Sequence, residues 1–222
     1  MECITTAKTM ISILGLGLVL MLSGQASAQE KTIPIVITTE LGAIKAELYP
    51  ERAPITVANF LANIDAGLYQ EGHFYRALNK ASGPLGPLAL IQGGKASSRE
   101  SRPPIVHETT AISGLSHTDG VLSMARLAPG TASSEFFISN GDNTGLDTIE
   151  SDLERQGYAA FGRVTEGMDI VRHILSQPVG HRASDDPVVV SLREKNLEVL
   201  ISSLLDQMIP MQIERVNQEA PL

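Results

Sequence analysis

Apolar and polar positions alternate along Ile33–Thr39 (IPIVITT) and again along Gly42–Leu48 (GAIKAEL), the two-residue period of strands with one buried face. A short turn ending in Gly42 joins them, so the two strands are expected to pair. The period then lengthens. Val57, Phe60, Leu61 and Ile64 recur at i, i+3, i+4 and i+7, which is one face of a helix, with Pro54 suited to the first turn and Gly67 to the position just past the end. Short strand patterns follow at His73–Leu78, Leu88–Gln92, Gly120–Arg126, Glu135–Ser139 and Tyr158–Val164, separated by turn-rich segments. A second helix is expected over Met168–Ser176.

The last third changes character. Val188–Met208 carries Leu192, Leu197, Leu200, Ile201, Leu204 and Leu205 and reads as an amphipathic helix, an insertion over about 188–209 that packs on the domain's own core. Pro210 should stop it, and Met211–Val216 alternates like a closing strand. Many short strands with two or three helices predict a mainly β barrel or sandwich with capping helices. No internal repeat or long linker interrupts the pattern.

The first residues follow a different logic. Lys8 provides a positive start, an apolar run extends from Met10 to Leu22, and Ala26-Ser27-Ala28 gives the small-x-small pattern of a cleavage site. The run is shorter than the ~18–20 residues that cross a bilayer, so 1–28 is expected to be a signal peptide cut after Ala28, leaving 29–222 as one domain in the periplasm or medium. The only cysteine, Cys3, lies in that leader, so the mature chain has neither a disulfide nor a cysteine metal ligand. The formal charge of −8, without basic clusters, argues against nucleic acid or an anionic membrane as partner.

Between Leu41 and Asp169 the chain is similar to the cyclophilins. Gly42–Tyr49, Ala53-Pro54 and Val57–Leu61 resemble the family's second strand and first helix. Phe74-Tyr75-Arg76 resembles Phe-His-Arg, and Ile91-Gln92-Gly93-Gly94 matches Ile-Gln-Gly-Gly. Gly120–Ala125 matches Gly-x-Leu-Ser-Met-Ala, Ser134–Ile138 resembles Ser-Gln-Phe-Phe-Ile, Leu146-Asp147 follows the family's loop, and Phe161–Asp169 resembles Phe-Gly-x-Val-x-x-Gly-Met-Asp. These segments stand in the family's order. The resemblance implies a closed eight-stranded antiparallel barrel capped by two helices, here with an extra C-terminal helix. It also implies a peptidyl-prolyl cis-trans isomerase that acts on proline-containing segments of exported proteins as a monomer, without cofactor or metal.

That chemistry needs neither nucleophile nor metal. It needs a directed donor beside a twisting amide and a dry wall around the proline ring. By the resemblance, Arg76 is the donor and Gln92 the side chain that hydrogen-bonds around the substrate carbonyl. Leu90, Met124, Phe137 and Leu146 form the pocket walls. Ala125 meets the substrate backbone, Tyr158 stands at the far side of the site, and Glu135 lies beside Arg76. Alternation sends Phe136 and Phe137 to opposite faces, Phe136 to the core.

Three positions depart from the family pattern. Ala89 replaces a pocket phenylalanine, leaving Leu85 or Leu88 to fill the space; Tyr75 replaces histidine; Glu135 replaces glutamine. The carboxylate is placed either to orient Arg76 or to hold it away from substrate. These departures favour an alternative, a proline-peptide binding module or chaperone with weak or no isomerase activity. Gly145 stands where a tryptophan favours cyclic-peptide inhibitors. Hydrolase and metal chemistry find little support, because His73, His107, His117, His173 and His181 are scattered and Ser123 lacks a nucleophile-elbow context.

Overall fold

The computed structural model describes residues 30–80, 86–149 and 156–216; the leader expected over 1–28 and Leu85 lie outside them. Alternation along the chain becomes a closed antiparallel barrel. Its strands are β1 (Ile33–Thr39), β2 (Gly42–Leu48), β3 (Gly72–Lys80), β4 (Leu88–Gly94), β5 (Val121–Met124), β6 (Phe136–Ser139), β7 (Ala159–Glu166) and β8 (Leu204–Arg215). They close in the order β1-β2-β7-β5-β6-β4-β3-β8. Closure leaves no unpaired edge strand.

Every second residue turns inward. Ile35, Ile37, Ile44, Leu48, Phe74, Ile91, Leu122, Phe136, Ile138, Phe161 and Ile213 are buried and pack into one core. Helix α1 (Pro54–Asp65) covers one end of the barrel with Val57, Phe60 and Leu61. Phe60 is the hub there, with ring centroids 4.9 Å from Phe161, 5.1 Å from Tyr69 and 5.4 Å from Phe136. Ala53 offers α1 no capping side chain, and Glu108 supplies the missing acceptor from a distant loop. Its carboxylate accepts from the Ile55 and Thr56 amides at 3.1 and 2.7 Å, at the helix end where a negative charge is favoured. A single turn, α2 (Thr110–Ser113), leads toward β5, and α3 (Met168–Leu175) packs Val171 and Ile174 onto the barrel.

The C-terminal third departs from the expected single helix over 188–209. It forms α4 (Pro187–Glu194), then a 3-10 helix over Glu198–Ser203, and β8 begins already at Leu204. Asn196 between them has φ of +55°, a left-handed residue that ends α4. Pro210 lies inside β8 instead of terminating a helix. It pairs with His73 of β3, while pairing to β1 starts only at Met211. The proline ring therefore sits where the strand has a neighbour on one side only, the place a missing N–H is tolerated.

Candidate active site

A groove of about 840 Å³ runs over the outer face of β3, β4 and β6 and is closed on its far side by α4 and the 3-10 helix. A β-bulge decides what faces it. Strict alternation would put Phe74, Arg76 and Leu78 on one side of β3. The pairing to β4 slips by one residue between Phe74 and Arg76. Phe74 and Ala77 consequently point into the barrel core, while Tyr75, Arg76 and Leu78 all line the groove. Bulges re-aim side chains in this way.

The guanidinium of Arg76 is held on two sides. Its Nε donates to Ser203 Oγ and its Nη1 to Gln92 Oε1, each at 2.8 Å. Nη2 has no protein partner among the described residues. Gln92 Nε2 in turn donates to the Tyr75 hydroxyl at 2.7 Å, and the Glu135 carboxylate lies beside Tyr75. The result is a relay in which each member fixes the next, and Gln92 has both ends of its amide engaged. Burial pulls the Arg76 pKa down, with Tyr75 and Tyr158 opposing it, yet an arginine so placed remains a cation. Burial and the neighbouring Glu135 carboxylate push Tyr75 up, so it stays a neutral donor. Burial also raises Glu135.

The two glycines after Gln92 are needed by this packing. A Cβ on Gly94 would run into the Glu135 carboxylate, and one on Gly93 would lie 2.7 Å from the His73 carbonyl oxygen. The Ile-Gln-Gly-Gly motif is thus read out as close approach of β4 to β3 and to the Glu135 carboxylate.

Next to the relay lies an apolar pocket. Leu78, Leu90, Phe137 and Leu146 are buried together, with Leu88, Ala125 and Tyr158 packed against them. Tyr158 meets the Phe137 ring edge-on at 5.5 Å, and the Arg126 guanidinium lies 4.8 Å over the Tyr158 ring. Leu88 lines the groove, whereas Ala89 is not part of its lining. The Asn143 side chain clamps the backbone there, donating to Ala89 O at 2.7 Å and accepting from Ala89 N at 2.9 Å. That ties β4 to the turn carrying Leu146.

Arg76, Gln92, Leu90, Ala125, Glu135, Phe137, Leu146 and Tyr158 all line this groove. Met124 does not. It is fully buried in the barrel core opposite Phe136, because one residue's step along β5 reverses the face. Several groove residues escaped the sequence reading. Leu78 carries no motif signal. Ser203 sits 127 residues from Arg76 and could not be paired with it from sequence. His117, Ser123 and Asp147 also come together: His117 Nδ1 donates to Asp147 at 2.6 Å and Nε2 bonds Ser123 Oγ at 2.9 Å. The order resembles a hydrolytic triad, but both His117 and Ser123 are completely buried. The imidazole instead stacks on Phe137, 5.7 Å between centroids, and steadies the pocket wall.

Residues 34–194 match the family described as cyclophilin type peptidyl-prolyl cis-trans isomerase/CLD. The chain belongs to that family. By class it is a peptidyl-prolyl cis-trans isomerase, a rotamase. Among related cyclophilins, a peptidyl-prolyl cis-trans isomerase of Acinetobacter baylyi is 36% identical over 149 residues, 65% of this chain and 72% of that one. Peptidyl-prolyl cis-trans isomerase B of Escherichia coli is 34% identical over 66% of this chain and 86% of its own length. The fold is also that of a cyclophilin from Cryptosporidium parvum, with a TM-score of 0.62 at 20% identity, covering 85% of this chain and 100% of the other. The same Cryptosporidium parvum protein was also solved in the presence of the dipeptide Ala-Pro, and this form aligns with a TM-score of 0.60 at 21% identity. The family match ends at Glu194, the last residue of α4, so the 3-10 helix that carries Ser203 lies beyond the matched residues.

Proposed function

We propose that this cyclophilin accelerates rotation of X–Pro bonds in exported proteins, as a monomer outside the cytoplasm, with Arg76 as its catalytic residue. The observation that carries the reading is the held guanidinium. Ser203 and Gln92 fix Nε and Nη1, and Nη2 is left for the substrate beside the pocket of Leu78, Leu90, Phe137 and Leu146.

The chemistry follows from the amide. Resonance sets a barrier of ~18–20 kcal/mol between the isomers. As the bond twists, the prolyl nitrogen recovers its lone pair and becomes an acceptor, which it is not in either planar state. A donor at that position therefore binds the transition state more tightly than the ground state. One preorganised donor in a dry site contributes about 3–4 kcal/mol. Five decades of acceleration require about 7 kcal/mol, so exclusion of water from the apolar pocket has to supply a comparable share.

The structure bears on the choice between turnover and mere binding. Glu135 lies beside Tyr75, and no ion pair joins it to Arg76 among the described residues. Leu78 and Leu88 add apolar surface to the groove, whose lining does not include Ala89. Both features favour turnover. Replacing Arg76 by Lys is the direct test. A single ammonium cannot bond Gln92, Ser203 and substrate in one plane, so kcat/KM should fall at least tenfold with an unchanged far-UV spectrum. An unchanged rate would refute the assignment.

Export rests on the leader pattern of Lys8, the apolar run and Ala26-Ser27-Ala28. Expressed in a Gram-negative host, the protein should appear in the periplasmic fraction with Gln29 at its N-terminus. Retention of Met1 in the cytoplasmic fraction would contradict it.

A further inference from the structure

We propose that α4 and the 3-10 helix form a second apolar subsite of this isomerase, one that takes a bulky aliphatic or aromatic side chain flanking the substrate proline. The inference rests on the isomerase reading above and concerns the part of the groove walled by α4, where the family match ends, and by the 3-10 helix beyond it. Val188 and Leu192 stand four residues apart on α4, and Leu197 and Leu200 three apart around the 3-10 helix, so each pair shares a face. All four line the same groove as Arg76. All four are only partly buried, an aliphatic wall that the domain's own packing leaves partly exposed.

The wall is rigid enough to discriminate. Asp186 caps α4, accepting from the Val188 and Val189 amides at 2.8 and 3.4 Å, and is itself gripped by Arg182 at 2.6 Å. The Leu197 amide donates to Leu192 O at 2.8 Å, folding the 3-10 helix back onto α4. Val189 is buried underneath, and a bridge between Val179 and Leu205 pins the base.

The same wall is joined to the catalytic residue. Ser203 Oγ, which accepts from Arg76 Nε, donates to Leu200 O at 2.9 Å. A chain whose proline sits between Phe137 and Arg76 therefore has its neighbouring residue beside Leu192, Leu197 and Leu200. Continuity with the proline pocket identifies the occupant as the substrate polypeptide, and the apolar lining identifies the side chain it favours.

The test uses two peptide series containing one proline, with Ala, Leu or Phe either just before or just after it, and NMR exchange rates as the readout. The wild type should favour Leu or Phe over Ala at least fivefold in one series, in line with partial burial of one large side chain. In the double variant Leu192→Ala/Leu197→Ala that ratio should fall below twofold. Leu200→Trp, which fills the subsite, should invert it. Because each ratio is taken within one protein sample, partial unfolding of a variant does not affect it. Equal rates across both series in the wild type, or a ratio unmoved by the variants, would overturn the subsite while leaving the isomerase reading intact. Absence of turnover of every peptide by the wild type would overturn both. A dimer at assay concentration that the double variant dissolves would also overturn it, by assigning the wall to a second copy.

Discussion

Burial raises the Glu135 carboxyl above its ordinary range, and hydrogen bonds from Tyr75 and Ser134 and the charge of Lys95 only partly offset it. Asp147 goes the other way: burial opposes its ionisation, but hydrogen bonds from His117 and Ser116 outweigh this and hold it below the usual carboxylate range. The two linkages have opposite signs. The cost of ionising Glu135 grows as the pH rises from the ordinary glutamate range through its raised folded-state pKa, and vanishes well below about pH 4, where both states are protonated. Glu135→Gln should therefore melt higher than wild type at pH 7, with the gap closing near pH 3.5; a lower melting point at pH 7 would count against the buried-carboxylate account. Asp147 contributes stability above the ordinary aspartate pKa and loses it as the pH falls through its depressed folded value. Asp147→Asn should melt lower than wild type at pH 7, and the deficit should shrink on acidification. Ser203 is a positioning residue, acting through Arg76. Ser203→Ala should lower kcat severalfold with little change in KM, and Ser203→Thr should restore it, because Thr keeps the hydroxyl that both accepts from Nε and donates to Leu200 O. A change confined to KM would point to a structural role alone.

At the scale of elements, the groove depends on two local departures from regularity. The bulge in β3 turns Tyr75 and Arg76 to one face, and alternation gave no hint of it, since Phe-Tyr-Arg reads as an unbroken strand. The second departure is the break at Asn196 that divides α4 from the 3-10 helix. Leucines spaced like a helix stripe from Leu192 to Leu205 concealed it, because a 3-10 turn and a strand can reuse the same apolar residues. Met124 faces the core instead of the groove for a related reason: a motif names residues but does not say which of two neighbours points outward. By contrast β1, β2, α1 and α3 were legible because their apolar periods are unambiguous and their ends carry proline or glycine. The Asp186 cap predicts a measurable contribution from α4. Asp186→Ala leaves two amides and Arg182 without their acceptor and should cost about 1 kcal/mol, read by chemical denaturation. An unchanged midpoint would show that α4 is held by packing alone.

For the whole molecule, barrel closure brings residues from β3, β4, β6, the Leu146 turn and the C-terminal segment to one groove. The half of the site on family motifs could be found from sequence: Arg76, Gln92, Phe137 and Leu146 stand on recognisable runs. The half contributed by Leu78, Asn143 and Ser203 could not, since it depends on which distant segments closure places together. Export does not depend on the isomerase chemistry, the second subsite does, and that chemistry turns on catalysis by Arg76. It is tested most directly by NMR exchange spectroscopy on a short Ala-Pro-Phe peptide with the purified mature protein and with Arg76→Ala. Exchange cross-peaks between the cis and trans forms in the presence of the wild type, lost with the variant while its far-UV spectrum is preserved, are the predicted result. Equal exchange with both proteins, or peptide binding shifts without exchange in either, would contradict it.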